Sequence, residues 1–140
     1  MTSGLQALSQ SGPVAALFID YGHTISQAGE TLQAVRNHSF EHPLTSPGEA
    51  DLSAHVDFAA FANACHAAGL ESDGPVTQAE FLGRLGIIER ASKLMGANPA
   101  RAGEIETGVA RLMAPGGMGS RFKAIGIRSA GLAPLPGFGV

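Results

Sequence analysis

Three residues with chemically useful side chains, Asp20, Tyr21 and His23, directly follow a short apolar run. The run covers residues 14–19 and is too short for a helix, so it predicts a strand buried on both faces, as in parallel sheets. Open α/β sheets bind ligands at the carboxyl ends of such strands. Asp20 and His23 could transfer protons there, and Tyr21 could stack on a flat ligand. Alternatively, Asp20 caps the turn at Gly22 and Tyr21 packs in the core.

A second group of polar residues lies in and just after residues 23–54, a segment with little apolar periodicity that predicts a long loop. Glu49 and Asp51 could form an acidic surface for a cationic substrate, or simply a solvated loop face. His55 could act as a base or have a structural role. Asp57 indicates a helix N-cap, because apolar residues flank it at the spacing of a hydrophobic staple.

Other combinations of reactive residues give weaker signals. His38 and His42 have the spacing of a metal-binding helix pair, but Pro43 follows and no helical periodicity surrounds them, so we expect no metal site. Cys65 is the single cysteine, which excludes an intrachain disulfide and predicts a small buried apolar residue. The sequence has no Gly-x-Ser-x-Gly motif to indicate a serine hydrolase.

The elements that must position these residues alternate between strands and helices. The patterns predict an edge strand over residues 70–75, a last strand over 122–128, and irregular ends over 1–12 and 130–140. They predict helices over residues 58–68, from a capping box at Thr77, over residues 87–95, and after an N-cap at Asn98. This order is typical of an α/β sheet with helical crossovers.

Composition and charge restrict the class of protein. A chain of 140 residues with 44% hydrophobic and 15% charged residues predicts one domain with a buried core. Its net charge of -3, without a Lys/Arg cluster, makes nucleic acid an unexpected partner. No apolar run approaches the roughly 18 residues of a membrane span. The first basic residue is Arg36, so we expect no secretory signal or transit peptide, and a cytoplasmic location.

Several motifs occur together along the chain, from about residue 14 to residue 129. They are Asp20-Tyr21-Gly22-His23, PGEADLSAHVDF over residues 47–58, GPVTQAEFL over residues 74–82, Leu85-Gly86-Ile87, and MGSRFK over residues 118–123. In this order they resemble the C-terminal half of the MidA-like methyltransferases, which are class I S-adenosylmethionine-dependent enzymes. That family includes mitochondrial protein-arginine methyltransferases that act on a respiratory complex I subunit.

The resemblance implies a Rossmann-like sheet whose last strand is antiparallel and inserted between its two predecessors. Residues 14–19, 70–74 and 122–128 would be strands 5, 6 and 7, with a helical insertion, in a single partial domain of residues 1–140. The family's Gly-rich loop and ribose-binding acidic residue have no counterpart here, and the glycines of residues 116–119 predict only a turn. The implied cofactor is S-adenosylmethionine, yet no residue of this chain is assigned to binding it.

The implied reaction is methyl transfer to protein arginine, by a chain that we expect to be inactive alone. A guanidinium has a pKa above about 12, so its methylation needs carboxylates that orient the nitrogen and accept a proton. The expected partners are a protein substrate, such as a respiratory complex I subunit, and a separate chain with the N-terminal half. A eukaryotic member would lie in the mitochondrial matrix. The candidate catalytic residues are Asp20, His23 and Asp51, and the candidate substrate-binding residues are Tyr21, Glu49 and His55.

The edge of the predicted sheet suggests a different function. Without a fourth strand beside residues 14–19, that edge is apolar and exposed, which predicts docking of a partner or self-association. A non-catalytic interaction module that uses this edge is therefore the alternative function. A chain too poor in buried surface to fold stably by itself is a third possibility.

Overall fold

The computed structural model describes residues 2–139, which form seven strands and six α-helices. The strands are β1 (Ala15–His23), β2 (Gln33–Arg36), β3 (Ser39–Glu41), β4 (Asp51–Ser53), β5 (Val56–Asp57), β6 (Leu70–Thr77) and β7 (Phe122–Ser129). The α-helices are α1 (Thr2–Ser11), α2 (Phe58–Ala67), α3 (Gln78–Arg84), α4 (Ile87–Ala97), α5 (Ala102–Met113) and α6 (Met118–Arg121). A short 3-10 helix, Pro99–Arg101, precedes α5.

The main sheet has the strand order β5-β1-β7-β6. β7 is antiparallel to both neighbours, with Phe122 opposite Tyr21 of β1 and Lys123 opposite Thr77 of β6. β1 and β6 therefore run parallel to each other. This arrangement confirms the predicted α/β fold, in which the last strand lies between its two predecessors and β6 lies at the edge.

One face of the main sheet packs against α1 and α2. Ile125 and Ile127 of β7 are fully buried against Phe58 of α2, and each such side chain contributes about 1.5–3 kcal/mol by leaving water. Cys65 is fully buried in the same cluster, which confirms its predicted role as a small core residue. β1 adds Phe18, whose ring meets Phe61 edge-on at 5.0 Å between centroids.

The opposite face of β7 is covered by α3 and the C-terminal tail. Phe138 of the tail packs on Phe81 of α3 with ring centroids 4.9 Å apart. Gly126 leaves room for this cover, because a Cβ there would lie 2.8 Å from Leu135 and 3.0 Å from Phe138. Residues 130–139 are irregular, as predicted, and Val140 lies outside the described residues.

Two of the predicted helix caps are confirmed. The Asp57 side chain accepts a hydrogen bond from the Ala60 backbone N–H at 2.9 Å and begins α2. Thr77 and Glu80 form both bonds of a capping box at the start of α3. The Asn98 side chain makes no cap bond, which corrects the prediction there: the 3-10 helix follows it, and α5 begins only at Ala102.

The N-terminal prediction was wrong, because residues 2–11 form α1 rather than an irregular segment. Leu5 packs into the core beneath α2, while Leu8 remains exposed. Small polar residues fill most other positions, so the segment shows too few apolar residues for a helical period to be recognised.

The prediction of a long loop over residues 23–54 was also wrong. This segment forms a small antiparallel sheet with the strand order β3-β2-β4. Asn37 and His38 have φ values of 49° and 62° and form the tight turn of the β2–β3 hairpin, which is the geometry of a two-residue hairpin loop. The strands are three or four residues long and Ala34 is their fully buried residue, so no apolar alternation marks them.

Candidate functional site

A cleft of about 650 Å³ lies between the main sheet and the small sheet. Its size falls within the range of pockets that hold small ligands or peptide side chains. One side consists of the carboxyl end of β1 and the amino end of β7, which meet because these strands are antiparallel. The other side is one face of the small sheet. The residues that line the cleft are Tyr21, Gly22, Gln33, Val35, Phe40, Ser53, Ala54, His55, Arg121 and Lys123.

The β1 side of the cleft is fixed by close packing. The Tyr21 ring lies on Phe122 with centroids 4.2 Å apart, and nearly half of the tyrosine side chain stays exposed. Gly22 is required next to it, because a Cβ there would lie 2.2 Å from the Val56 carbonyl oxygen and 2.8 Å from the Phe58 ring. Packing thus accounts for one face of Tyr21 and leaves the rest for a ligand.

The small-sheet side presents apolar and aromatic groups. Val35 is opposite both Phe40 and Asp51 in the strand register, so the three side chains share one face of this sheet. Phe40 is 77% exposed, which is unusual for a phenylalanine at the side of a cleft. The backbone N–H of His55, two residues after the end of β4, donates to Thr31 Oγ1 at 3.1 Å, which holds His55 beside the cleft.

The charged groups that line the cleft are basic. Lys123 Nζ donates to the backbone carbonyls of Ser120 and, at 3.4 Å, of Arg121, and burial lowers the pKa of this lysine. Arg121 is exposed and has no carboxylate within ion-pair distance among residues 2–139. None of the ten lining residues is acidic. The charged side chains that line the cleft are therefore positive in a chain whose net charge is -3, and the nearest carboxylates in the strand registers are Asp20, opposite Lys123, and Asp51, opposite Val35.

The predicted site residues do not form one cluster. Tyr21 and His55 line the cleft, and Asp51 lies on the same face of the small sheet as Val35 and Phe40 without being among the lining residues. Glu49 pairs with Arg36 at 2.5 Å and is not among the lining residues, so the predicted acidic surface of Glu49 and Asp51 is split.

Asp20 and His23 flank the cleft on β1 without lining it. Asp20 Oδ1 accepts the Tyr21 backbone N–H at 2.8 Å, and Asp20 borders a separate apolar slot of about 120 Å³. His23 Nε2 is buried 3.6 Å from Asp57 Oδ2 and makes no hydrogen bond within residues 2–139. The Ala60 backbone N–H, followed by Ser26 and His23, lowers the pKa of Asp57, which keeps this cap ionised beside the histidine.

Several lining residues were not predicted from the sequence. Arg121 and Lys123 could have been located, because Arg121 directly precedes the antiparallel last strand and Lys123 is the second residue of that strand. The amino end of this strand must meet the carboxyl end of β1. Phe40 and Val35 carried no such signal, since their segment predicted a loop. The unpredicted lining residues are Gly22, Gln33, Val35, Phe40, Ser53, Ala54, Arg121 and Lys123.

The Gly-rich segment does not fit a cofactor-binding loop. A Cβ at Gly119 would lie 2.1 Å from the Met113 carbonyl oxygen, and one at Gly117 would lie 2.8 Å from that of Arg111. These glycines therefore allow α6 to pack against the end of α5, and no residue is assigned to cofactor binding. Across residues 2–139 no group of three His, Cys, Asp or Glu side chains could hold a metal ion. Nor is any helix of that part long and apolar enough to cross a membrane.

Comparisons with known proteins agree with this architecture. Curated relatives include the "Protein arginine methyltransferase NDUFAF7 homolog, mitochondrial" of Drosophila melanogaster, which is 37% identical over 77% of this chain and 25% of its own length. The Rattus norvegicus "Protein arginine methyltransferase NDUFAF7, mitochondrial" is 37% identical over 84% of this chain and 28% of its own length. This chain thus spans about a quarter of the curated relatives that it matches.

Two crystal structures from Burkholderia thailandensis have the same fold. One, described as an uncharacterized protein, matches 98% of this chain and 39% of its own with a TM-score of 0.83 at 27% identity. The other, bound to S-adenosyl-homocysteine, matches 89% of this chain and 34% of its own with a TM-score of 0.76 at 30% identity.

A family model matches residues 3–76 of this chain, which include α1, β1, the small sheet, β5 and α2, and most of β6. Its description is "Putative S-adenosyl-L-methionine-dependent methyltransferase". The matched segment contains most of the residues that line the cleft. The chain belongs to this S-adenosyl-L-methionine-dependent methyltransferase family.

Proposed function

We propose that this chain forms the substrate side of a methyltransferase that transfers a methyl group from S-adenosylmethionine to protein arginine. The observation that carries the proposal is the cleft at the carboxyl end of β1, beside Asp20, Tyr21 and His23. Ligands of open α/β sheets bind at this end of the strands. Residues 1–140 would then be one part of a larger domain, with other residues binding most of the cofactor.

The proposed roles follow from the side chains around the cleft. Asp20 is an exposed carboxylate at the strand end, able to orient a guanidinium and accept its proton, and Asp51 is a second carboxylate on the small-sheet face. His23, held beside Asp57, would assist proton transfer, while Tyr21 and His55 would contact the substrate. Glu49, engaged with Arg36, would act in substrate binding only after that ion pair opens.

The relatives' names support the arginine acceptor and a protein substrate. A respiratory complex I subunit as that substrate is a finer proposal, which rests on the family resemblance alone. The relatives are named as mitochondrial, whereas the cytoplasmic location of this chain stays a prediction from its sequence.

A chimera tests the reaction class directly. The chain would replace the matching segment of the Burkholderia thailandensis protein whose S-adenosyl-homocysteine complex is solved. The chimera, methyl-labelled S-adenosylmethionine and a protein extract should yield label in methylarginine after hydrolysis. Asp20→Asn should lower the rate at least about 100-fold, as expected for loss of a general base, whereas Glu106→Gln on the exposed face of α5 should not.

Label in lysine or in nucleic acid would contradict the arginine assignment. Equal rates for Asp20→Asn and Glu106→Gln would contradict the role of Asp20. An amide NMR spectrum of the isolated chain, with and without S-adenosyl-homocysteine, tests whether the β1 end contacts the cofactor. Ligand-induced shifts confined to residues 20–23 and their neighbours would support that contact.

A second candidate function is docking through the outer edge of β1. Within residues 2–139, β5 pairs with that edge only at Gly22 and His23, and Leu17 and Ile19 are 49% and 41% exposed. Unpaired apolar edges favour strand addition by another chain. Size-exclusion chromatography with light scattering separates the cases: a stable monomer that takes up no partner would contradict docking, and a dimer abolished by Leu17→Lys would support it.

A further inference from the structure

We propose that the cleft holds an acidic residue of the polypeptide substrate, with Arg121 binding its carboxylate and Phe40 and Val35 packing on a neighbouring apolar side chain. This inference rests on the proposed function and specifies its substrate as an arginine with an acidic neighbour. Arg121 would be a binding residue, with no part in methyl transfer itself.

Charge is the first argument for an anionic group. The whole chain has twelve acidic and nine basic residues, yet the cleft lining contains two bases and no acid. Arg121, like three other arginines of the chain, has no carboxylate within ion-pair distance in the described residues, so its guanidinium is available to a ligand. An arginine fork at the rim of a cleft matches a carboxylate with two parallel hydrogen bonds.

The position of Lys123 reinforces Arg121. Its ammonium group donates to the carbonyl oxygens of Ser120 and Arg121, so it is held at the base of the α6 turn that carries Arg121. Arg121 and Lys123 are two positions apart in the sequence, on either side of Phe122, the first residue of β7. A carboxylate that approaches Arg121 is therefore attracted by both positive charges. Because Lys123 is less exposed than Arg121, salt screens its attraction for the carboxylate less.

The opposite side of the cleft favours a polypeptide over a small free anion. Val35 and Phe40 share one face of the small sheet, and most of the Phe40 ring is open to solvent. A small carboxylate would leave this apolar surface uncovered, whereas a peptide with an apolar residue beside its acidic one would cover it. Tyr21, resting on Phe122, offers a rigid second contact.

The basic groups also restrict where the acceptor arginine can lie. A guanidinium placed beside Arg121 and Lys123 would face two like charges, which is unfavourable in a partly enclosed cleft. The acceptor must therefore lie away from Arg121, either toward Asp51 on the small sheet or beside Asp20, which is opposite Lys123 in the strand register and offsets its charge. The acidic neighbour in the cleft would then fix the register of the peptide.

Two labelled peptides test the inference on the intact chain. They are Gly-Phe-Glu-Gly-Arg-Gly and the matched peptide with Gln in place of Glu, and their affinities are measured by fluorescence anisotropy at low salt. The Glu peptide should bind about tenfold more tightly, as expected for one charge-assisted contact. Arg121→Gln should reduce this preference to within about twofold, and Arg121→Lys should retain part of it.

Arg90→Gln is the matched control, because Arg90 is an exposed arginine on α4 that does not line the cleft. It should leave the tenfold preference unchanged. Equal affinity for the two peptides, or no binding of either, would overturn the inference. Titration with S-adenosyl-homocysteine provides the remaining test: if Arg121→Gln weakens that ligand and not the Glu peptide, the carboxylate belongs to the cofactor and the inference is wrong.

The peptide assay is independent of methyl transfer. A tenfold preference together with an inactive chimera would count against the proposed reaction and not against the Arg121 subsite. Methylarginine formation without a preference for the acidic peptide would count against the Arg121 subsite and not against the proposed reaction. Circular dichroism should give the same melting temperature for Arg121→Gln as for the native chain, since the side chain is exposed.

Discussion

The two sheets of this protein differ in how much of their apolar surface is buried. In the main sheet, residues 124–127 of β7 are fully buried because helices cover one face and α3 with the C-terminal tail covers the other. The small sheet has one fully buried position, Ala34, and leaves Phe40 and Leu52 mostly exposed. Apolar burial thus stabilises the main sheet, while the small sheet keeps apolar side chains available for contact with a ligand.

The two sheets also differ in their connections. The main sheet joins residues far apart in the chain, since β7 pairs with β1 across a hundred residues of sequence. The small sheet forms entirely within residues 33–53 and closes through the tight turn at Asn37 and His38. Because the small sheet pairs only within this short segment, side-chain substitutions in it should have little effect on the packing of the core. Such independence is suited to a surface that binds a ligand.

The largest predicted difference between the two regions is in the free energy of unfolding when a phenylalanine of each is replaced by alanine. Phe58→Ala should lower the free energy of unfolding by about 3–5 kcal/mol, because Phe58 is 1% exposed and its loss leaves a cavity. Phe40→Ala should change it by less than about 0.5 kcal/mol. Urea unfolding monitored by circular dichroism measures both, and similar losses would mean that the small sheet belongs to the core.

The second effect concerns the junction of the two regions. Gly22→Ala should cost about 1–3 kcal/mol, because its Cβ would overlap the Val56 carbonyl and the Phe58 ring and push β5 away from β1. Gly29→Ala is the control, since a Cβ there meets nothing within 4 Å. The same urea titration applies. If both variants unfold alike, the tight contact between β1 and β5 has no energetic importance.

The contrast between the sheets explains what the sequence could predict. Residues 14–19 were recognised as a strand from a short apolar run, and residues 122–128 from side chains that alternate between two faces. The predicted burial on both faces was wrong for β1, because Leu17 and Ile19 on one of its faces are 49% and 41% exposed. The caps at Asp57 and Thr77 were recognised because local hydrogen bonds need fixed residue types at fixed spacings. These features depend on residues that are near one another in the chain or are uniformly apolar.

The cleft could be predicted only in part, for the converse reason. Tyr21 and His55 were proposed because a strand end and a motif marked them, and both line the cleft. Phe40 and Val35 belong to strands too short and too exposed to show a period, and the turn at His38 was hidden in a histidine pair spaced like metal ligands. Their grouping arises from tertiary pairing, which local sequence does not encode.

The smallest predicted difference in stability is between two threonine-to-alanine variants. Each of the two threonine hydroxyls accepts a backbone N–H. Thr77→Ala should cost about 1 kcal/mol at pH 7, because it removes the cap of α3 at the end of the main sheet. Thr31→Ala removes the bond to His55 beside the small sheet and should cost less than about 0.5 kcal/mol, since that bond is exposed to water. Melting temperatures of both variants measure the difference.

The pH dependence of these two variants should also differ. Hydrogen bonds from the Thr77 hydroxyl and then from its backbone N–H lower the pKa of Glu80. The folded-state pKa therefore lies below the unfolded one, so the stabilisation is complete above about pH 4.3 and is lost as pH falls through the lowered value. The melting-temperature loss of Thr77→Ala should shrink between pH 7 and pH 3, while that of Thr31→Ala should stay constant. A Thr77→Ala loss that does not change with pH would show that the Glu80 carboxylate adds nothing to the cap in solution, and that the Thr77 hydroxyl caps α3 only by accepting the Glu80 backbone N–H.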